Sequence, residues 1–209
     1  MITIKGLTFS YDNSPIFEEL HFASKTRFVV IKGPSGSGKT TLLKLLTGNL
    51  EPTSMEQNPA ADFKKKTLIL QEDALFPWMT GIENILSVPS LSIETAQRHP
   101  LFAHVAPYVA RYAYEMSYGQ RRMVELFRAI LYAPDLLCLD EPFNFLDPRN
   151  RKYFLDYLLS EDSSLSHSTI VMSTHYNEDT TCLALETAYV TGKFPMKRLL
   201  SESEFKAYA

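Results

Sequence analysis

Eight consecutive residues, Gly33-Pro34-Ser35-Gly36-Ser37-Gly38-Lys39-Thr40, constrain the fold of this 209-residue chain more than any others. Before them lies Phe28-Val29-Val30-Ile31, an apolar run with the length of a buried strand. After them, Thr40 to Gly48 has apolar residues at helical spacing, and Gly48 stands where a C-terminal cap belongs. A buried strand, a glycine-rich turn and a helix make one half of a strand-helix-strand unit, which requires a sheet with helices packed against it.

The rest of the chain supplies that sheet. Buried strands are predicted at Leu68 to Leu70, Leu136 to Leu139 and Thr169 to Met172, with a last one near Ala188 to Thr191, and helical stretches separate them. Ile2 to Phe9 and Phe17 to Phe22 alternate in polarity and read as antiparallel strands. From about Ile82 to Tyr114 no strand pattern occurs, and Pro89, Pro100 and Pro107 break the segment into short helices. The expected fold is α/β, a mixed and largely parallel sheet with an N-terminal antiparallel β subdomain. One domain over 1–209 is expected, with 1–80 and 115–209 as its core and about 81–114 as a small inserted helical subdomain.

Composition narrows the function. Apolar residues make up 45% of the chain, enough for a large core. The 21 Lys and Arg residues nearly balance 24 Asp and Glu, which gives no pull toward nucleic acid or anionic lipid. No apolar run approaches the roughly 20 residues that span a bilayer, and the N-terminus lacks a secretory pattern, so a cytoplasmic location is expected. Cys138, in an apolar run, and Cys182 read as buried thiols. The histidines at 21, 99, 104, 167 and 175 have no metal-ligand spacing, and Lys64-Lys65-Lys66 reads as a solvated turn before a strand.

Gly33 to Thr40 matches G-x-x-x-x-G-K-[ST] in the strand-to-helix context its chemistry requires. Glycines let backbone N–H groups wrap a triphosphate, the helix N-terminus adds positive potential, and Lys39 offers a cation to the β- and γ-phosphates of ATP. Thr40 would hold Mg2+. Leu136-Leu137-Cys138-Leu139-Asp140-Glu141 is an apolar strand that ends in two carboxylates. Asp140 can orient Mg2+ through its water shell, and Glu141 can polarise an attacking water as general base.

With these motifs the chain resembles the ATP-binding-cassette ATPases. Met116-Ser117-Tyr118-Gly119-Gln120-Arg121-Arg122 looks like that family's signature sequence, LSGGQ followed by basic residues, and Tyr118 stands in place of its first glycine. The resemblance implies that Ser117, Gly119 and Gln120 contact the nucleotide of the opposite subunit, and that Thr41 joins Gly33 to Thr40 around the bound one. Read alone, Ser117 is better explained as a plain helix N-cap. Tyr11 resembles the aromatic residue that stacks on adenine, and Gln71 the glutamine that touches Mg2+ and the attacking water. Asp147, in Asn144-Phe145-Leu146-Asp147, resembles the loop that crosses the dimer interface, although before Pro148 it also suits a helix N-cap. His175, in Ser173-Thr174-His175, resembles the histidine that contacts the γ-phosphate. These motifs keep the family's order from Tyr11 to His175.

Ala74-Leu75-Phe76-Pro77-Trp78-Met79-Thr80 and Asp140-Glu141-Pro142-Phe143 look most like importer ATPases of the nitrate, sulfonate and taurine group. The resemblance implies a second ATPase subunit, with a homodimer expected, and a transmembrane permease, with a solute-binding protein as a further possible component. It also implies a peripheral location on the inner face of the cell membrane and no nucleic acid. Two subunits would sandwich two nucleotides, with hydrolysis reopening the pair. Phe76 to Met79 form an apolar cluster that suits either a partner's helix or core packing. The alternatives are an exporter subunit and a cassette ATPase acting on nucleic acid or the ribosome; the latter generally carries coiled-coil insertions or a duplicated cassette, which this chain lacks. In Glu51-Pro52-Thr53-Ser54-Met55, Met55 replaces a glycine frequent in relatives, and the change is expected to affect only a surface hairpin.

Overall fold

The computed structural model describes residues 2–89, 91–174, 186–189 and 196–201. These fall into two compact units. The first comprises residues 1–68, 135–141 and 168–209, and the second residues 69–134 and 142–167.

In the first unit, β1 (Ile2–Tyr11) and β2 (Ser14–Ser24) pair antiparallel, as their alternation requires. Then follow β3 (Phe28–Lys32), α1 (Lys39–Thr47), β4 (Lys66–Ile69), β5 (Leu136–Asp140), β6 (Thr169–Ser173), β7 (Glu186–Tyr189), β8 (Met196–Arg198) and β9 (Leu200–Ser201). The main sheet runs β4-β5-β6-β3-β7-β9, and β8 joins β2 in a three-stranded sheet with β1. β5, β6, β3 and β7 are mutually parallel. Every side chain of β5 and β6 is buried, which is why these strands are apolar throughout rather than alternating. One core joins both sheets: Ile4, Leu7, Phe17 and Leu20 pack with Val29, Ile31, Leu42, Leu46, Cys138 and Val171. Gly48 caps α1 in the left-handed conformation, with its N–H donating to Leu45 O.

Several expectations change. β4 begins two residues earlier and ends one residue earlier than the strand expected at Leu68 to Leu70. β8 and β9 lie beyond the last strand expected; with three and two residues they are too short to carry a period. Met55 is half-buried and packs against the core, because residues 53–57 run along β1 with Thr53 N–H donating to Thr8 O and Glu56 N–H to Lys5 O. The change there thus reaches beyond a surface hairpin. Lys66 already belongs to β4, while the Lys64 and Lys65 amides donate to the Asp135 carboxylate. Cys138 is fully buried, which pushes its thiol pKa up; Cys182 lies outside the described residues.

The second unit is helical: α2 (Gly81–Leu86), α3 (Ile93–Arg98), α4 (Phe102–Val105), α5 (Tyr118–Tyr132) and α6 (Pro148–Leu159). Its core forms around α5, whose Val124, Leu126, Phe127 and Ile130 are buried together with Ile85, Val105, Phe154 and Leu158. His99 fills a structural role here. Its ring lies edge-on to Phe127 and its Nε2 is 2.9 Å from the Tyr157 hydroxyl, and burial lowers its pKa. Fully buried Asn84 accepts from Phe76 N–H at 2.8 Å and donates to the carbonyls of Phe76, Met79 and Thr80, fixing the chain from 76 to 80. That bracing leaves Phe76 and Trp78 exposed rather than in the core. No helix among the described residues is long and apolar enough to cross a membrane.

Candidate nucleotide-binding site

β3 delivers the chain into the glycine-rich turn. Gly36 and Gly38 have φ of 75° and 91°, the left-handed region. At Gly38 a Cβ would also lie 3.1 Å from Ile16 and 3.3 Å from the Phe17 ring, so backbone conformation and packing both select glycine. No side chain caps α1, so its first amides remain available to an anion. Ser37 Oγ is buried without a hydrogen-bond partner among the described residues, an orphaned polar atom in a loop otherwise built for phosphate. Thr41 is buried on α1, while Thr40 is exposed beside the turn.

Lys39 is buried and folds back so that its Nζ donates to Gly33 O and Pro34 O, each at 2.9 Å. Burial lowers its pKa, opposed by the carboxylates of Glu141 and Asp140. The ammonium is thus held at the turn among negative groups. Thr40 Oγ1 donates to Asp140 Oδ2 at 2.5 Å. Two hard oxygen donors in contact are of the kind that would suit Mg2+.

Sequence reasoning missed Ser173. Fully buried at the end of β6, it pairs in register with Asp140, donates from Oγ to Asp140 Oδ1 at 2.5 Å, and accepts the Glu141 N–H at both Oγ (3.1 Å) and O (3.2 Å). The available signal was a lone hydroxyl closing an apolar strand. Glu141 has φ of 49°, a strained value for a residue with a Cβ, and there the chain leaves the sheet. Tyr11, at the end of β1, packs edge-on against Phe9 and leaves 43% of its surface exposed, open to a stacking partner.

Within the helical unit the structure brings Gln71, Tyr118, Gly119 and Phe145 together. Ser117 caps α5 in a reciprocal box: its Oγ accepts from Gln120 N–H at 3.3 Å, and Gln120 Oε1 accepts from Ser117 N–H at 3.0 Å. The N-cap reading of Ser117 is therefore correct. A Cβ at Gly119 would lie 2.7 Å from Phe145 O, so only glycine fits. Asp147 caps α6, and the hydrogen bond from Asn150 N–H at 3.0 Å helps hold its carboxyl below the usual range. His175 lies outside the described residues.

A strand, a glycine-rich turn and a helix, with two carboxylates at the end of a parallel strand of the same sheet, one strand removed, define a P-loop nucleotide-binding protein. The sequence model of ABC transporters matches residues 20–144, and the chain belongs to that family. It is 31% identical to the ergothioneine transport ATP-binding protein EgtV of Helicobacter pylori, over 90% of this chain and 95% of that one. With the taurine import ATP-binding protein TauB of Yersinia pestis it shares 29%, over 89% and 78%. It spans 47% of the length of two longer curated relatives. A dimeric bacterial ABC transporter cassette has the same fold, with a TM-score of 0.76 and 22% identity over 95% of this chain and 96% of that one.

Proposed function

We propose that the chain is the ATP-hydrolysing subunit of a membrane importer, acting as a homodimer on the inner face of the membrane with a transmembrane permease. A core of 1–80 and 115–209 and an inserted 81–114 remain the proposed division of labour. The single observation that carries this reading is the contact of Thr40 with Asp140, beside buried Lys39 and the strained Glu141. Gly33 to Thr41 would hold the phosphates and Tyr11 would stack on the base. Bound Mg2+ would neutralise charge on the β- and γ-phosphates. Glu141, its backbone fixed by Ser173, would take the proton of the attacking water, and Gln71 and His175 would assist at the same reaction. Ser117, Gly119, Gln120 and Asp147 would meet the nucleotide held by the other subunit.

Transport is supported by the likeness to EgtV, named as a transport protein, and import by the likeness to TauB, named as an import protein. Homodimer formation is supported by the likeness to a dimeric cassette. Exposed Phe76 and Trp78 suit contact with a permease. The test is Mg2+-dependent ATP hydrolysis by the purified chain and by Glu141→Gln. Loss of turnover in the variant with ATP binding retained supports the reading, whereas equal rates in the two proteins would sink it.

A further inference from the structure

Tyr118 has a larger structural role than a helix-start residue needs. From the first turn of α5 its hydroxyl donates to Gln71 O at 2.6 Å. The same carbonyl accepts from Arg122 Nη2 at 2.5 Å. Residues 118 and 122 lie one turn apart on one face of α5, so a single helix face grips the Gln71 backbone. Arg122 is itself locked: its side chain is 1% exposed, and its Nη1 donates to Leu70 O and to Glu125 Oε2, each at 2.8 Å. The other side of Tyr118 meets Phe145, with ring centroids 4.5 Å apart and planes at 62°. Phe145 has φ of 66° and a side chain largely open to solvent, and its carbonyl is closely approached by Gly119.

We propose that Tyr118 is a positioning residue for ATP hydrolysis: its hydroxyl fixes the backbone of Gln71 and its ring fixes Phe145, so that the signature segment, Gln71 and the segment leading to Asp147 move as one body. Glycine at position 118 could make neither contact. A phenylalanine there keeps the ring against Phe145 and loses only the bond to Gln71, which separates the two contacts. The proposal rests on the ATPase reading given above for its functional half, and on geometry alone for its structural half.

The experiment compares the wild-type chain, Tyr118→Phe, Gln71→Ala and the double variant. Tyr118→Phe is expected to lower kcat about fivefold, the change that one ordinary hydrogen bond corresponds to, with KM for ATP unchanged. In the Gln71→Ala background the same substitution should have no further effect, because the group it positions is gone. Amide hydrogen exchange should quicken at residues 71–75 in Tyr118→Phe and stay unchanged at 124–130 in the middle of α5. A wild-type kcat in Tyr118→Phe, or the same fall in both backgrounds, overturns the proposal. A wild-type chain without ATPase activity, or one whose rate survives Glu141→Gln, instead overturns the functional reading before any Tyr118 variant is compared. The exchange measurement then still decides whether Tyr118 holds Gln71, and unchanged exchange at 71–75 rejects it.

Discussion

Asp140 is held on both oxygens, by Thr40 and by Ser173, and Ser173 also receives the Glu141 amide. One buried hydroxyl therefore sets the direction of both carboxyl-bearing residues. Ser173→Ala leaves the Asp140 Oδ1 without its donor and is expected to cost about 1–3 kcal/mol of stability. Its activity should fall and its half-maximal Mg2+ concentration should rise; a Mg2+ titration of ATPase rate, read beside a denaturant melt, checks both. Glu141→Gln keeps the size of the side chain while removing the proposed base, so turnover should drop at least about a hundredfold with ATP affinity kept. Single-turnover hydrolysis alongside equilibrium ATP binding separates the two effects.

Among the elements, α5 carries the most consequential packing. Its N-terminus is closed by the reciprocal box of Ser117 and Gln120, and Gly119 sits against the Phe145 carbonyl. Gly119→Ala would place a Cβ 2.7 Å from that backbone oxygen, a clash no side-chain rotation relieves. The segment from Phe145 to Asp147 should shift as a result. We expect the variant to fold with a lowered melting temperature and to lose ATP-dependent dimer formation in the Glu141→Gln background, as read by light scattering. Dimer formation at the unmodified level would show that the close approach serves packing only.

At the scale of the whole molecule, the buried pair of Arg122 and Glu125 links stability to pH. Burial pushes the Glu125 carboxyl up to about 7, although the Arg122 and Arg128 guanidinium groups pull it down. The folded chain therefore binds a proton between about pH 4.5 and 7 that the unfolded chain releases, so this group makes the protein more stable as pH falls through that window. Glu125→Gln should remove the dependence: the difference in melting temperature between pH 5.5 and 7.5 should shrink relative to wild type. A second global prediction concerns mass. Glu141→Gln should shift from monomer to dimer on addition of Mg2+-ATP, since the proposed phosphate contacts from both subunits would favour the closed pair.

The sequence by itself determined the strand, turn and helix around Gly33 to Thr40, the apolar strand ending in Asp140-Glu141 and the N-cap at Ser117. Each depends on residue types a few positions apart: glycine where φ is positive, a hydroxyl where helix amides need an acceptor, continuous apolarity where both faces of a strand are covered. Only the tertiary structure decided that Ser173 supports Asp140, that Tyr118 and Arg122 meet at the Gln71 carbonyl, and that the three- and two-residue strands β8 and β9 find edges to pair with. These contacts join residues 33 to 51 positions apart or strands shorter than one hydrophobic period. Their partners follow from strand register and helix placement, which local pattern does not encode.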